Sequence, residues 1–389
     1  MKIDTTDKSL RWQTAIGFAA VALTATINCL VSKLNWWLLV CVFVGALAVQ
    51  MSIKPLLRWW CSLDSGRQHG VVFLCSGSLI LAAIAIWFHA LGPSLSQRFI
   101  DKDEVVATLR RYRWITYDPP DYNPLTGQCP TYLDIQRDLR QIADAGFTGI
   151  ITFSSRASLS AIPAYAKRLE LGVIMGVYDP GDRAELALAA AQKEWVDGYA
   201  VGHNNLHSGY SFAGLLDATC WLRFRTGRPV STTERLESYF HEPRLLSLGD
   251  WVFPDVHLSL RSPDFGVAVA PFCADAPRDV ATLVGYVKQI VELADKTHRP
   301  VMLKMVTYPV AGIKGASPQE QARFYLLLLD HRRDVTSPLP LNVSVALHSA
   351  FDLKWKTMWP FYPWEPYTGL LEADGTPRHA AAVAVECLP

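Results

Sequence analysis

The sequence DGYAVGHNNLHSGY, at residues 197–210, contains the unit from which most of this chain is built. Gly198–Val201 is a short apolar run, typical of a buried strand, and it ends abruptly in polar residues at positions 203–205. A helical pattern follows at Tyr210–Thr226 and stops at Gly227, the residue type that most easily adopts a left-handed cap. The unit is therefore one strand, one polar loop and one helix.

The same unit recurs through residues 101–389. Eight strands are predicted, at Trp114–Tyr117, Gly149–Phe153, Val173–Tyr178, Gly198–Val201, Pro229–Thr233, Trp251–Val256, Val301–Val306 and Asn342–Leu347. The predicted helices are Thr131–Ala145, Ser160–Leu171, Arg183–Glu194, Tyr210–Thr226, Arg235–Leu248, Asp279–Lys296 and Ser317–Asp334. Gly146 and Gly172 also follow helices, and both are predicted caps. Eight strand–helix repeats predict an α/β fold, a (β/α)8 TIM barrel, with a doubly wound sheet as the alternative.

The first 95 residues differ in composition from the rest. Three nearly uncharged apolar runs, at residues 14–31, 36–53 and 71–91, are each long enough to cross a bilayer as a helix. Basic residues are most frequent before the first run and between the second and third: Lys2, Lys8, Arg11, Lys54, Arg58 and Arg67. This bias predicts a cytoplasmic N-terminus, a membrane region at 1–95, and a barrel at 101–389 outside the cytoplasm.

Composition excludes some partners and cofactors. The formal net charge is +1, which gives no electrostatic case for binding nucleic acid. The barrel cysteines are Cys129, Cys220, Cys273 and Cys387, and none has the spacing of a metal site. Their disulfide pairing cannot be read from the sequence. His203 and His257 stand without an evident third ligand, so we expect hydrogen-bonding groups there, and no metal or cofactor is predicted.

The chemistry of a TIM barrel lies where its strands end at their carboxyl side. Aromatic and polar residues predicted at this rim, or in the loop after the last strand, are Tyr117, Asp118, Phe153, Tyr178, His203, Asn204, Tyr210, Glu234, Asp255, His257, Tyr308, Trp355 and Trp364. Sugar rings stack on aromatic side chains, and their hydroxyl groups bind carboxylates, so this set favours carbohydrate. The tryptophans have alternative explanations: a cover over the barrel mouth, a surface resting on the membrane, or packing of the last loop.

Several strings, in order along Arg111–Arg378, carry a family resemblance. They are YDPP at 117–120, TFSS at 152–155, GYAVG at 198–202, RPVSTTE at 228–234, GDWVFPDVH at 249–257 and EPYTGLL at 365–371. Together they resemble glycoside hydrolase family 17, and especially its bacterial membrane-anchored branch associated with β-glucan synthesis and remodelling. The resemblance implies a TIM barrel, a polysaccharide ligand and a bacterial inner-membrane location, with the barrel in the periplasm.

The resemblance also implies two catalytic glutamates, and this chain has neither. The family's general acid/base ends strand four, where VGHN at 201–204 places Asn204, and His203 replaces the family's asparagine before it. The family's nucleophile ends strand seven, where LKMVTYP at 303–309 places Met305. A retaining glycosidase needs two carboxyl groups about 5–5.5 Å apart, and neither an amide nor a thioether can replace them.

Three hypotheses remain open. The first is a membrane-anchored barrel that binds a β-glucan-like polysaccharide without hydrolysing it, beside membrane lipid and a membrane glycan synthase or exporter. The second is an active β-glucan hydrolase or transglycosylase that uses Glu234 with another carboxylate of the rim. The third is a structural subunit of a membrane complex, with the barrel mouth unused. Whether the rim aromatics line an open groove or are buried discriminates the third hypothesis from the other two.

Overall fold

The computed structural model describes residues 101–256, 273–334, 336–337, 343–358 and 362–389. The three predicted membrane spans and His257 lie outside these ranges, so the membrane region and its boundary near residue 95 stay predictions. Within the part of the chain that is described, no helix combines the length and apolarity needed to cross a bilayer.

Seven parallel strands form one sheet. They are β1 Trp114–Thr116, β2 Gly149–Ile151, β3 Gly172–Val177, β4 Gly198–Val201, β5 Val230–Thr232, β6 Met302–Val306 and β7 Ser344–Leu347. Their order is β5-β4-β3-β2-β1-β7-β6, and every pair is parallel. The strands are buried on both faces, which is why they read as continuous apolar runs in the sequence.

The predicted sixth strand, Trp251–Val256, is irregular but connects the two edges of this sheet. Asp255 donates its N–H to the Glu234 carbonyl after β5, at 2.8 Å. On the other side, Lys304 of β6 donates to the Pro254 carbonyl at 2.9 Å, and Met302 donates to Val252 at 2.9 Å. Pro254 has no N–H to give, which explains why a regular strand does not form. The result is a curled (β/α) barrel with seven regular strands and one irregular segment.

Helices surround the sheet. In chain order they are α1 Lys102–Arg111, α2 Tyr132–Asp144, α3 Ile162–Lys167, α4 Arg183–Ala191, α5 Phe212–Thr226, α6 Leu236–His241, α7 Leu245–Leu248, α8 Ala276–Asp295, α9 Pro318–Arg333 and α10 His379–Glu386. Short 3-10 helices occur at Ala157–Ala161, Lys354–Met358 and Glu365–Tyr367. Side-chain caps fix several starts. In α2, for example, Thr131 and Asp134 form a reciprocal capping box.

Two predicted helices are shorter or broken in the structure. The helix predicted at Arg235–Leu248 divides into α6 and α7 because Pro243 cannot continue a helical ladder. The helix predicted at Ser160–Leu171 is a 3-10 turn followed by α3. The left-handed residue after α3 is Glu170, with φ of 58°, and the predicted cap at Gly172 is wrong. Gly172 instead starts β3, where an added Cβ would lie 2.5 Å from Cδ2 of Tyr112.

The apolar core has two parts. The larger part lies between the sheet and the surrounding helices. The smaller part fills the barrel interior and includes Trp114, Ile174, Phe253 and Met302, with Val105 and Leu109 of α1 packed among them. Alternate residues of a strand point inward, so Lys304 lies above Met302 inside the barrel. Helix α1 therefore fills the amino-terminal end of the barrel, and the opposite end is left for a site.

Candidate functional site

A pocket of about 340 Å³ opens at the carboxyl ends of the strands. Its lining comes from strand ends and from the loops after β1 and β7: Asp118, Tyr122, Pro124, Leu125, Phe153, Ser154, Arg156, Tyr178, His203, Asn204, Asn205, Arg235, Asp255, Met305, Trp355, Lys356, Tyr362 and Glu365. This is the end of a (β/α) barrel at which ligands bind, and the volume falls within the range of small-molecule sites.

A buried lysine lies behind the pocket lining, next to His203 and Phe153. Lys304 is only 1% exposed, and its Nζ lies 3.2 Å from Nδ1 of His203 and 4.6 Å from the centre of the Phe153 ring. Burial disfavours the ammonium form and lowers the pKa of Lys304 to about 8, while the carboxylates of Asp255 and Glu234 oppose the shift. When Lys304 donates a hydrogen bond to Nδ1 of His203, the ring proton of the neutral imidazole is on Nε2.

Asn204 and Met305 occupy the positions where the sequence resemblance expects glutamates, and both line the pocket. Asn204 donates from Nδ2 to Oδ2 of Asp255 at 2.7 Å, whereas its Oδ1 is buried without a hydrogen-bond partner. Both residues have positive φ, 58° for Asn204 and 61° for Met305. Non-glycine residues in this region are uncommon and concentrate at functional sites. Two residues with this uncommon backbone conformation thus meet at the pocket, and their side chains are an amide and a thioether.

Glu234 lies beneath the pocket and is fully buried, and it is absent from the lining. It accepts hydrogen bonds from the Tyr210 hydroxyl and from the backbone N–H of Leu206. The Tyr210 oxygen in turn accepts the N–H of His203 at 2.7 Å. Burial raises the pKa of Glu234 to about 7. In this structure Glu234 and Tyr210 hold the loop that presents His203 and Asn204.

The carboxylates that do face the pocket are Asp118, Asp255 and Glu365. Burial raises the pKa of Asp118 to about 6, against the opposing charges of Lys356 and Lys304. Glu365 forms an ion pair of 3.0 Å with the buried Lys356. Three basic residues, Arg156, Arg235 and Lys356, also line the pocket, so acids and bases are present in equal number.

Aromatic rings form the walls. The His203 ring lies between Phe153 and Tyr178, with ring centres 5.1 Å and 5.6 Å away. Trp355 and Tyr362 contribute from the loop after β7. Tyr178 is 39% exposed, so its ring is accessible to a ligand. Aromatic faces beside carboxylates and an imidazole can bind the C–H faces and hydroxyl groups of a sugar.

The structure brings seven of the predicted site residues into this pocket: Asp118, Phe153, Tyr178, His203, Asn204, Asp255 and Trp355. Others lie elsewhere. Tyr117 and Tyr308 are fully buried on the outer side of the sheet, where their hydroxyl groups bond to Asp138 and Asp279. Trp364 is 3% exposed and packs behind Tyr362. Tyr210 and Glu234 support the loop below the pocket.

Sequence reasoning missed several lining residues and Lys304. Tyr122 lies in a loop, Arg156 and Arg235 directly precede helices, and Lys356 lies in a short 3-10 helix. No strand or helix periodicity marks the direction of these side chains. Lys304 did carry a signal, because it is a charged residue in the middle of an apolar strand, MLKMV at 302–306. Within the described ranges, no three His, Cys, Asp or Glu side chains are grouped to hold a metal ion.

No known family profile matches this sequence, and no curated protein sequence matches it. Solved structures do match. A β-glucuronidase of Faecalibacterium prausnitzii is 14% identical, with a TM-score of 0.52, over 70% of this chain and 48% of that chain. A GH2 β-galacturonidase of Eisenbergiella tayi, bound to galacturonate, is 12% identical, with a TM-score of 0.50, over 71% and 50%. A β-1,3-glucanase and allergen of Cryptomeria japonica pollen is 14% identical, with a TM-score of 0.49, over 69% and 98%.

The chain spans about half the length of the two bacterial enzymes. At such identities the likeness shows the fold alone. The fold is therefore a (β/α) barrel of the kind that the two bacterial enzymes contain. The pocket described above lies at the end of such a barrel where ligands bind.

Proposed function

We propose that this protein binds a β-glucan-type polysaccharide in the pocket at the carboxyl end of the barrel, without hydrolysing it by a two-glutamate mechanism. One observation carries the proposal. The aromatic-lined pocket has Asn204 and Met305 at the ends of β4 and β6, where the sequence resemblance expects the acid/base and the nucleophile. The pocket offers a surface for binding, and the groups of the retaining reaction are absent from these two positions.

The chemistry of these two side chains supports binding over turnover. The amide of Asn204 has no titratable proton near neutral pH, so it cannot protonate a leaving oxygen. The thioether of Met305 cannot form a glycosyl ester. General acid–base assistance alone contributes about 10²–10⁴-fold to such reactions, and loss of the nucleophile removes the covalent route.

The remaining pocket residues suit a neutral sugar. Tyr178 and Trp355 offer ring faces for stacking, and Asp118 and Asp255 offer acceptors for hydroxyl groups. The acidic and basic residues of the lining are equal in number, which favours no net charge on the ligand. We place the protein in a bacterial inner membrane, with the barrel in the periplasm beside a glycan synthase or exporter, on the predicted spans and the family resemblance.

The experiment uses the full chain in detergent with β-1,3- and β-1,6-glucan oligomers. Calorimetry measures binding, and mass spectrometry measures products in the same samples. We expect binding without products. Tyr178→Ala and Trp355→Ala should each weaken binding by about tenfold, since aromatic contacts of this kind contribute on the order of 1 kcal/mol. Trp195→Ala is the matched control, because Trp195 is exposed and lies outside the pocket lining. Absence of binding to every oligomer would favour the structural-subunit hypothesis.

A second candidate function is hydrolysis or transglycosylation by relocated carboxylates. Asp118 and Asp255 both face the pocket, and the raised pKa of Asp118, about 6, suits a general acid. Glu234 would then act only through the loop that it supports. Under this hypothesis the wild-type chain releases products, and Asp118→Asn or Asp255→Asn abolishes release. Product release that both variants retain would exclude this pair.

A further inference from the structure

A second cavity, of about 260 Å³, lies at the opposite end of the barrel. It is bounded by α1, by the last turn of α8, and by Val301 and Ser344 at the amino ends of β6 and β7. The sugar pocket lies at the carboxyl ends, so the two cavities share no residue. Nothing in the proposed glycan function uses this second cavity.

Among the charged side chains that line this cavity, basic ones outnumber acidic ones. Lys102, Arg110 and Arg299 line it together with His298, and the acid in the lining is Asp295. Lys102 and Arg110 are exposed residues of α1. The Nη1 of Arg299 lies 4.0 Å from Oδ1 of Asp250, at the limit of an ion pair. In a chain with a formal net charge of +1, this is a local excess of positive charge.

The inner wall of the cavity is apolar. Val106 and Leu109 come from α1, Val291 comes from α8, and Pro300 and Val301 precede β6. Leu109 is fixed in place because its carbonyl accepts the indole N–H of Trp114 at 2.9 Å. A basic rim around an apolar wall fits an anionic amphiphile better than a free ion, since a free ion makes no use of the wall.

We propose that this cavity binds the phosphate group of an anionic phospholipid, with the basic rim on the phosphate and the apolar wall against the glycerol and upper acyl carbons. Arginine and lysine are the usual partners of phosphate. The predicted third span ends at residue 91, ten residues before Asp101, the N-cap of α1. Ten residues span at most about 35 Å, so in the predicted topology the linker limits the distance between α1 and the bilayer. The proposal rests on the predicted membrane anchor and is independent of the glycan function.

The test uses the full chain in nanodiscs of phosphatidylcholine, alone or mixed with phosphatidylglycerol. Native mass spectrometry then measures how many phosphatidylglycerol molecules each chain retains. The cavity variant is Lys102→Ser with Arg299→Gln. The matched control is Arg225→Gln with Lys288→Ser, which removes the same charge from exposed positions outside the cavity. Inorganic phosphate is titrated calorimetrically into the chain in phosphatidylcholine nanodiscs.

We expect the wild type and the control to retain one more phosphatidylglycerol than the cavity variant, with apparent affinity reduced by roughly tenfold or more in that variant. If phosphate gives a heat of binding with the wild type and none with the cavity variant, the cavity is an anion site whose ligand is free phosphate. Equal retention by all three chains, without phosphate heat, would overturn the proposal. Lys102→Ser alone, at an exposed position on α1, repeats the test if the double variant does not fold.

Discussion

Asn204 joins the loop after β4 to the irregular sixth segment, because its amide bonds to Asp255 at 2.7 Å. A carboxylate at this position would face Asp255 directly, and two like charges in contact cannot both ionise without cost. The amide therefore does more than fill the position of an absent acid. It also avoids a second negative charge beside Asp255, whose carboxylate opposes the effect of burial on the pKa of Lys304.

Asn204→Asp should destabilise the protein at pH 7.5 by about 1–3 kcal/mol. The new carboxyl pair has a raised folded-state pKa, so the penalty is present above that pKa and disappears as the pH falls below it. Thermal unfolding of the full chain at pH 7.5 and pH 4.5 measures the difference. Asn205→Asp is the control, because Asn205 is adjacent and lines the same pocket. Equal destabilisation at both pH values would contradict the explanation that the new carboxylate is repelled by Asp255.

Much of the pocket could be predicted from single residues because the carboxyl ends of parallel strands meet at one end of a barrel. This argument brought Asp118, Phe153 and Asp255 together correctly in space. It failed for Tyr117, whose side chain a period of two residues turns outward toward the helices. It failed for Tyr308 because the register shift between Leu303 and Val306 breaks the alternation, so that Tyr308 also points outward. Lys304 was missed because lysine is rarely buried, and only the three-dimensional arrangement supplies the carboxylates that surround it.

At the scale of elements, the regular strands were predictable within one or two residues, since strands buried on both faces appear as short apolar runs. The position of the sixth segment in the sequence was predictable, but its irregular backbone was not. Pro254 interrupts the ladder, and the hydrogen bonds that connect the segment to β5 and β6 involve residues distant in sequence. Proline also explains the division between α6 and α7. Proline therefore accounts for the irregular sixth segment and for the divided helix. Hydrogen bonds between residues distant in sequence close the barrel.

The start of the sixth segment is held by a buried ion pair. Asp250 accepts Nε of Arg223 at 3.0 Å and the N–H of Val230 at 2.8 Å, and both charged side chains are almost fully buried. Asp250→Asn leaves the guanidinium of Arg223 without this carboxylate, so we expect a loss of about 3–5 kcal/mol in the free energy of unfolding. Denaturant titration measures it.

The matched control is Asp217→Asn, which breaks the exposed pair between Arg183 and Asp217. Exposed pairs contribute about 0–1 kcal/mol, so the control should change stability little. Similar losses in both variants would show that the buried pair does not hold the sixth segment in place.

At the scale of the whole molecule, the predicted topology places the barrel outside the cytoplasm and the loop at residues 54–70 inside it. Cys129 is exposed on the barrel, and Cys61 lies in that loop, which is outside the described residues. In spheroplasts, an impermeant maleimide should label a chain whose only cysteine is Cys129. A chain whose only cysteine is Cys61 should need permeabilisation first. If Cys61 were labelled in intact spheroplasts and Cys129 only after permeabilisation, the barrel would lie on the cytoplasmic side.

The acidic groups of the barrel give an unusual dependence of stability on pH. Burial raises the pKa of Asp118 and Asp138 to about 6 and that of Glu234 to about 7. Their folded-state values exceed the unfolded ones, so the folded chain binds more protons between about pH 4 and 7. Stability is then greatest below this interval and falls as the pH rises through it. Carboxyl groups with lowered pKa, such as Asp134 and Asp182, act in the opposite direction only below about pH 4.

The full chain should therefore unfold at a higher temperature at pH 5 than at pH 7.5, by an amount equivalent to roughly 2–4 kcal/mol. Scanning calorimetry at both pH values measures this difference. Asp118→Asn should raise the unfolding temperature more at pH 7.5 than at pH 5, since an amide carries no buried charge to desolvate. Asp144→Asn, at an exposed position on α2, should leave the difference unchanged. A wild-type chain that is less stable at pH 5 would show that these three carboxyl groups are not kept neutral by the fold.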